Sequence, residues 1–165
     1  MIVVLMGVCG SGKTKVGQTL AASLGWNFYD ADDFHPRENV AKMAAGIPLT
    51  DDDRWPWLDR IVEWLSHAGE GESNAVLACS ALKQAYRDRL ARAGNVRFVY
   101  LKGDQATIAE RLKDRTHKYM PASLLPSQFA ALEEPTDAVV IDIRDDLDSK
   151  IDAICAGLGL QRKAW

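Results

Sequence analysis

Eight consecutive residues, Gly7-Val8-Cys9-Gly10-Ser11-Gly12-Lys13-Thr14, fill every fixed position of the pattern GxxxxGK[ST]. The glycines let the backbone wrap closely around a phosphate chain. The N–H groups of the loop and the start of the helix that follows then present positive potential to that chain. Lys13 is placed to reach the outer phosphates of such a chain, and the Thr14 hydroxyl to ligate Mg²⁺. A second concentration of reactive groups is the acidic run Asp30-Ala31-Asp32-Asp33, with His35 just after it and Arg54 behind Asp51–Asp53.

A phosphate loop works only between a strand and a helix, and the sequence supplies both. Met1–Met6 is a continuous apolar run of the kind buried on both faces of a parallel sheet. From about Gly12 a helix follows, with Val16, Leu20, Ala21 and Leu24 on one face and Gly25 closing it. Further strands are expected at Trp26–Asp30, Ala75–Cys79, Val96–Lys102 and Val139–Asp142. Helices are expected over Pro36–Ala45, from a cap at Asp51–Asp53, from Ser80 through Ala93, over Asp104–Asp114, and along the spacing of Leu147, Ile151, Ile154 and Leu158. Residues Arg115–Pro135 carry three prolines and break this alternation, so they read as an inserted lid. The expectation is a single α/β domain over residues 1–165, a P-loop NTPase-type five-stranded parallel sheet with helices on both faces and a lid at about 115–135.

Composition narrows the class. The chain has 165 residues, 47% hydrophobic and 26% charged, with 20 basic against 23 acidic residues and a net charge of −3. A binder of the nucleic-acid backbone would carry a basic excess, so no nucleic-acid partner is expected. No apolar run reaches the roughly 18 residues of a membrane span, so no membrane partner is expected and a cytoplasmic location is. Cys9, Cys79 and Cys155 lie too far apart for a zinc site, and reduced thiols fit best. The third strand ends Leu77-Ala78-Cys79-Ser80, without the aspartate of a Walker B motif, and no NKxD guanine-reading motif occurs. Both absences count against a GTPase, and a chain of 165 residues with one phosphate loop and a lid near residue 120 suits a compact kinase better than a mechanical ATPase.

The acceptor side is more distinctive. Asp30-Ala-Asp-Asp-Phe-His-Pro36, Asn39-Val-Ala-Lys-Met43, Gly46-Ile-Pro-Leu-Thr-Asp-Asp-Asp-Arg54, Cys79-Ser-Ala-Leu-Lys83, Tyr86-Arg-Asp88, Tyr100-Leu-Lys-Gly-Asp104 and Ser127-Gln-Phe129 occur in the order found in the gluconokinase family. The chain resembles that family from residue 2 to about residue 135. The resemblance implies a fold like that of shikimate kinase, transfer of the ATP γ-phosphate to the 6-hydroxyl of D-gluconate, ATP and Mg²⁺ as cofactors, and a possible homodimer. Shikimate kinase itself would show a Gly-Gly-Gly turn where Ser80-Ala-Leu82 stands. A nucleotide-binding regulatory module would need the loop but not the acceptor-side residues.

Residue roles follow from the resemblance and from chemistry together. Asp32 lies just past a strand end, where ligands of open α/β sheets bind, and is read as the carboxylate that orients the acceptor hydroxyl and takes its proton. Asp30 is read as holding a Mg²⁺-bound water, and Asp33 as part of a solvated loop. His35 is a substrate hydrogen-bonder or a loop histidine without that role. Arg54 either pairs with Asp51–Asp53 or clamps the sugar-acid carboxylate, which a guanidinium can hold at two points. Lys83 and Arg87, four apart on one helix face, contact substrate or form a basic surface patch. Ser80 caps its helix, faces substrate, or does both, and Gln128 is read as a substrate contact. Arg111 near the adenine and Arg115 near the transferring phosphate match the family's lid arginines; the alternative is that they complement a helix dipole. Lys118-Tyr119 stands where the family reads His-Phe, so its lid histidine is not carried over to His117. Trp55, Trp57 and Trp64 read as packing residues.

Overall fold

The computed structural model describes residues 1–69, 74–114 and 122–163. Its frame is a five-stranded sheet in the order β2-β3-β1-β4-β5. The strands are β1 (Ile2–Met6), β2 (Asn27–Asp30), β3 (Ala75–Ala78), β4 (Val96–Lys102) and β5 (Val139–Asp142), and every pairing is parallel. The helices are α1 (Lys13–Leu24), α2 (Arg37–Ala44), α3 (Asp51–Gly69), α4 (Gln84–Leu90), α5 (Gln105–Lys113), α6 (Leu125–Ala131) and α7 (Leu147–Leu158). No helix among the described residues is long and apolar enough to cross a membrane.

The central strand shows why the helices divide between two faces. Alternate residues of a strand point to opposite sides. Val3 and Leu5 of β1 join Val16 and Leu20 of α1, Ile108 and Leu112 of α5, and Ile151 and Ile154 of α7. Ile2, Val4 and Met6 join Trp57, Leu58, Ile61 and Leu65 of α3, and Tyr86 and Leu90 of α4. The expected five parallel strands with helices on both faces are borne out.

Three boundaries differ from the sequence expectation. Thr50, not the Asp51–Asp53 run, caps α3: Thr50 N–H donates to Asp53 Oδ2 (2.9 Å), and Asp53 N–H donates to Thr50 Oγ1 (3.1 Å). The two side chains satisfy each other's backbone donors, which leaves Asp51 free for other work. The helix after β3 begins only at Gln84, because Ala81 turns the chain at φ +44°, a left-handed conformation rare for a residue with a Cβ. It ends at Leu90, and Ala91–Ala93 continue as a 3₁₀ turn. The expected lid is described only from Ala122, where a 3₁₀ turn (Ala122–Leu124) leads into α6; residues 115–121 lie outside the described residues.

Helix α1 approaches the sheet closely at Gly17. A Cβ there would stand 2.5 Å from Phe28 Cε2 and 3.2 Å from Leu5 Cδ1. Gly17→Ala therefore sets a helix-propensity gain of about 0.5–1 kcal/mol against an overpacking cost of about 1–3 kcal/mol. The variant should unfold at a lower urea concentration than the parent. A higher midpoint would show that the Phe28 ring swings aside freely.

Candidate active site

The register of the parallel ladder brings three chain segments to one level. Ala78 of β3 pairs with Leu5 of β1 on one side and with Asp30 of β2 on the other. The loops leaving these strands therefore start together at the carboxyl edge of the sheet, where open α/β sheets bind ligands. They enclose a cleft of about 810 Å³, lined among others by Lys13, Thr14, Asp30, Asp32, His35, Arg54, Ser80, Lys83 and Gln128.

The phosphate loop is held by its glycines and its lysine. Gly10 (φ +81°) and Gly12 (φ +95°) adopt conformations that other residues rarely take, and a Cβ on Gly10 would also press on Leu112 at 2.9 Å. Lys13 Nζ donates to Gly7 O and Val8 O, each at 3.0 Å, so the ammonium arches over the loop. Gly7 N–H donates to Ser80 O (3.2 Å), which ties the loop to the end of β3. The Thr14 hydroxyl donates to Asp30 Oδ2 (3.1 Å), and Asp30 Oδ1 accepts from Asp32 N–H (3.0 Å).

Asp32 and His35 line the cleft together. Burial, then the neighbouring Asp30 carboxylate, raises the Asp32 carboxyl to about 6; Lys13 opposes this and Asp33 adds to it. The side chain still presents 48% of its surface to the open cleft. The His35 ring is buried and lies flat on Trp57, with centroids 4.1 Å apart and planes 16° apart. Burial, and secondarily the Arg54 charge, lowers His35 to about 4, so it is neutral at pH 7. Its Nε2 stands 3.7 Å from Asp32 Oδ1, an approach too long for a hydrogen bond.

Cations line the far wall. Arg54 Nη1 donates to Leu49 O (2.5 Å), and the guanidinium lies over the Tyr86 ring, 5.3 Å from its centroid. Among the described residues no carboxylate lies within ion-pair distance of Arg54, so the pairing with Asp51–Asp53 weighed from sequence is not formed. Lys83 sits over the same ring and pairs with Asp51 at 3.1 Å; the Tyr86 hydroxyl donates to the same carboxylate. Asp53 pairs with Lys42 instead, at 2.8 Å.

Two predicted site residues stand elsewhere. Arg87 does not share the cleft with Lys83: Lys83 precedes α4, and Arg87 points inward, 2% exposed. Its guanidinium donates to Ala81 O (2.8 Å), Leu82 O (3.1 Å) and Glu133 O (2.9 Å), so it braces the loop after β3 rather than a substrate. Arg111 lies outside the cleft lining and donates to Ile143 O (2.6 Å) beyond β5, where Lys150 Nζ also donates (2.7 Å). Arg115, His117, Lys118 and Tyr119 lie outside the described residues. Gln128 is in the cleft wall, where its Oε1 accepts the Cys9 N–H at 2.6 Å.

Sequence reasoning missed Trp57 and Asp51. Trp57 supports His35, and its Nε1 donates to Ala31 O (2.7 Å), pinning the turn that carries Asp32. One signal was available, because Trp57 follows Arg54 by three residues and so shares its helix face.

Comparisons with known proteins agree with this geometry. The family model for shikimate kinase matches residues 9–153. The gluconokinase of Gluconobacter oxydans is 48% identical over 136 residues, covering 81% of this chain and 76% of that one. The thermosensitive gluconokinase of Escherichia coli is 45% identical over 149 residues, covering 87% and 80%. The crystal structure of a gluconokinase from Sinorhizobium meliloti superposes with a TM-score of 0.84 at 43% identity, covering 95% and 90%.

Two measurements follow from the site's internal bonds. Arg87→Met would leave the buried Ala81 O without its donor and Leu82 O with only the Glu133 N–H, and a buried unpaired group costs about 1–3 kcal/mol. It should lower the urea midpoint markedly, whereas Lys83→Met, at a half-exposed ion pair, should change it little. Asp32 bears on stability through pH. Its carboxyl is raised in the folded chain, so the folded state keeps a proton that the unfolded state releases between about 4 and 6, and stability falls as pH rises through that window. Asp32→Asn should thus melt at a higher temperature than the parent above pH 6, with the difference closing by about pH 4. Melting curves that run parallel at all pH values would show that Asp32 titrates normally.

Proposed function

The chain belongs to the gluconokinase family, among kinases of the shikimate kinase type, and we propose that it transfers the γ-phosphoryl group of ATP to the 6-hydroxyl of D-gluconate, giving 6-phospho-D-gluconate and ADP. One observation carries this reading. A complete phosphate loop faces, across a single cleft, a carboxylate at Asp32 and an Arg54 guanidinium with no carboxylate partner among the described residues.

The cleft divides the labour. The N–H groups of Gly7–Thr14 and the N-terminus of α1 bind the phosphate chain, and Lys13 moves its ammonium from the loop carbonyls to the outer phosphates. Thr14 and Asp30 are the residues that would hold Mg²⁺. Their hard oxygens, 3.1 Å apart, suit that ion, which on binding would neutralise charge on the phosphate oxygens. On the acceptor side Arg54 grips the sugar-acid carboxylate, and Lys83 and Ser80 contact its hydroxyls. Neutral His35, held flat by Trp57, offers a hydrogen bond without adding charge. Asp32 orients the 6-hydroxyl toward the γ-phosphorus and accepts its proton, which leaves late in a loose transition state. By resemblance Arg115, in a lid over about residues 115–135 of one kinase domain, is assigned to the transferring phosphate, and Arg111, at the end of α5, to the adenine side. Free thiols at Cys9, Cys79 and Cys155 fit a reducing cytoplasmic location, and a homodimer belongs to the same proposal.

A coupled ADP-release assay tests the acceptor. ADP formation should require D-gluconate and should not respond to shikimate; gluconate-independent turnover would sink the reading. Lys13→Ala should abolish turnover in a folded protein. Asp32→Asn keeps the shape and removes the proton acceptor, so gluconate phosphorylation should fall by roughly 10² or more, with ATP affinity little changed. A magnesium titration of that variant distinguishes roles, because rescue by raised Mg²⁺ would move Asp32 to the metal.

A further inference from the structure

The short helix α6 and the chain that leaves it are bonded to both halves of the cleft. From its middle, Gln128 reaches the phosphate loop and accepts the Cys9 N–H at 2.6 Å, across 119 residues of sequence. Gln128 is 7% exposed, and its bond to Cys9 lies partly buried in the cleft wall. Two residues past the end of α6, in the chain that leaves it, Glu133 N–H donates to Leu82 O (2.8 Å), and Glu133 O accepts from Arg87 Nη2 (2.9 Å). Glu133 Oε2 also accepts from Gln84 N–H at 3.2 Å. Leu82 and Gln84 flank Lys83, which lines the acceptor half. One short segment, from Gln128 in α6 to Glu133 just beyond it, thus touches the loop that carries the donor and the loop that receives the acceptor.

The chemistry of the Gln128 end is selective. The Cys9 N–H needs an acceptor once the loop closes around it, and that acceptor lies beside a polyphosphate. An amide oxygen satisfies the N–H without a formal charge, whereas a carboxylate would satisfy it and repel the phosphates. A methionine fills similar volume but accepts only weakly.

We infer that Gln128 is a positioning residue for phosphoryl transfer: it fixes the Cys9 amide of the phosphate loop to α6, so that donor loop and acceptor loop are set at one distance by the continuous segment 128–133. This places Gln128 in the machinery through the loop rather than through the sugar acid, in contrast to the substrate contact read from sequence. It rests on the loop's binding ATP and not on the identity of the acceptor.

Two variants and two kinds of measurement test it. Hydrogen exchange of the Cys9 amide, followed by NMR in the protein without nucleotide, reads the bond directly and independently of activity. Gln128→Met should speed that exchange about tenfold, while Gln128→Glu, which keeps an acceptor oxygen, should leave it protected. In steady-state kinetics Gln128→Met should lower kcat about tenfold or more, since small misplacements of reacting groups are costly, with KM for D-gluconate within about twofold. Gln128→Glu should instead weaken ATP binding several-fold by titration calorimetry. A raised KM for gluconate at unchanged kcat would overturn the inference and make Gln128 a direct acceptor contact. Unchanged Cys9 exchange in Gln128→Met would overturn it as well, whatever the kinetics. Should gluconate prove not to be the acceptor, the exchange and ATP-binding results would still decide the role of Gln128.

Discussion

The register of three parallel strands is the constraint on which the rest of the site depends. Ala78 has Leu5 on one side and Asp30 on the other, so β1, β2 and β3 end at one height. The chain then leaves each strand into the same space: Gly7–Thr14 from β1, Asp30–His35 from β2 and Cys79–Lys83 from β3. A slip of one residue would turn the buried alternation of β1 inside out, exposing Val3 and Leu5 or Val4 and Met6 to the wrong layer. The burial of those residues between two helical layers thus fixes where Lys13, Asp32 and Ser80 meet, although none of the three takes part in the core.

Within that frame the charges are arranged by half. The donor side holds Lys13 over loop carbonyls and the Thr14–Asp30 pair, groups that can rearrange around phosphate. On the acceptor side Asp32 is crowded by Asp30 and Asp33, His35 is kept neutral, and the cations sit at the far wall around Tyr86. A carboxyl raised toward 6 in the same cleft as a phosphate loop and an arginine is the kind of perturbed group that clusters at functional sites. Asp51 occupies Lys83 and the Tyr86 hydroxyl, which leaves Arg54 as the cation better able to receive a carboxylate.

Buried polar ties then hold the loops that the sheet merely aims. Arg87 lies beneath the acceptor loop and bonds Ala81, whose backbone is in an unfavourable conformation, and Leu82. Trp57 pins Ala31 under Asp32, and Gln128 meets the phosphate loop. Residues held in sparsely populated backbone regions persist only when their surroundings over-determine them. The two Arg87 bonds and the Glu133–Leu82 bond supply that over-determination at Ala81.

The sequence by itself determined the phosphate loop, its strand and helix, the parallel five-stranded architecture and the resemblance to a kinase family. These were legible because their information is local: the loop's chemistry lies in eight contiguous residues, and buried strands and amphipathic helices write their burial into periodic apolar positions. Only the tertiary structure decided which polar side chains face the cleft. Four-residue spacing put Lys83 and Arg87 together, yet the turn at Ala81 delays α4, leaving Lys83 in the loop and Arg87 in the interior. Clustering with Trp55 and Trp64 made Trp57 a packing residue, while its partners, His35 and Ala31, come from outside its helix. Gln128 meets Cys9 across most of the chain. A side chain's direction depends on where its element begins and on what packs against it, and that is set by contacts between segments distant in sequence.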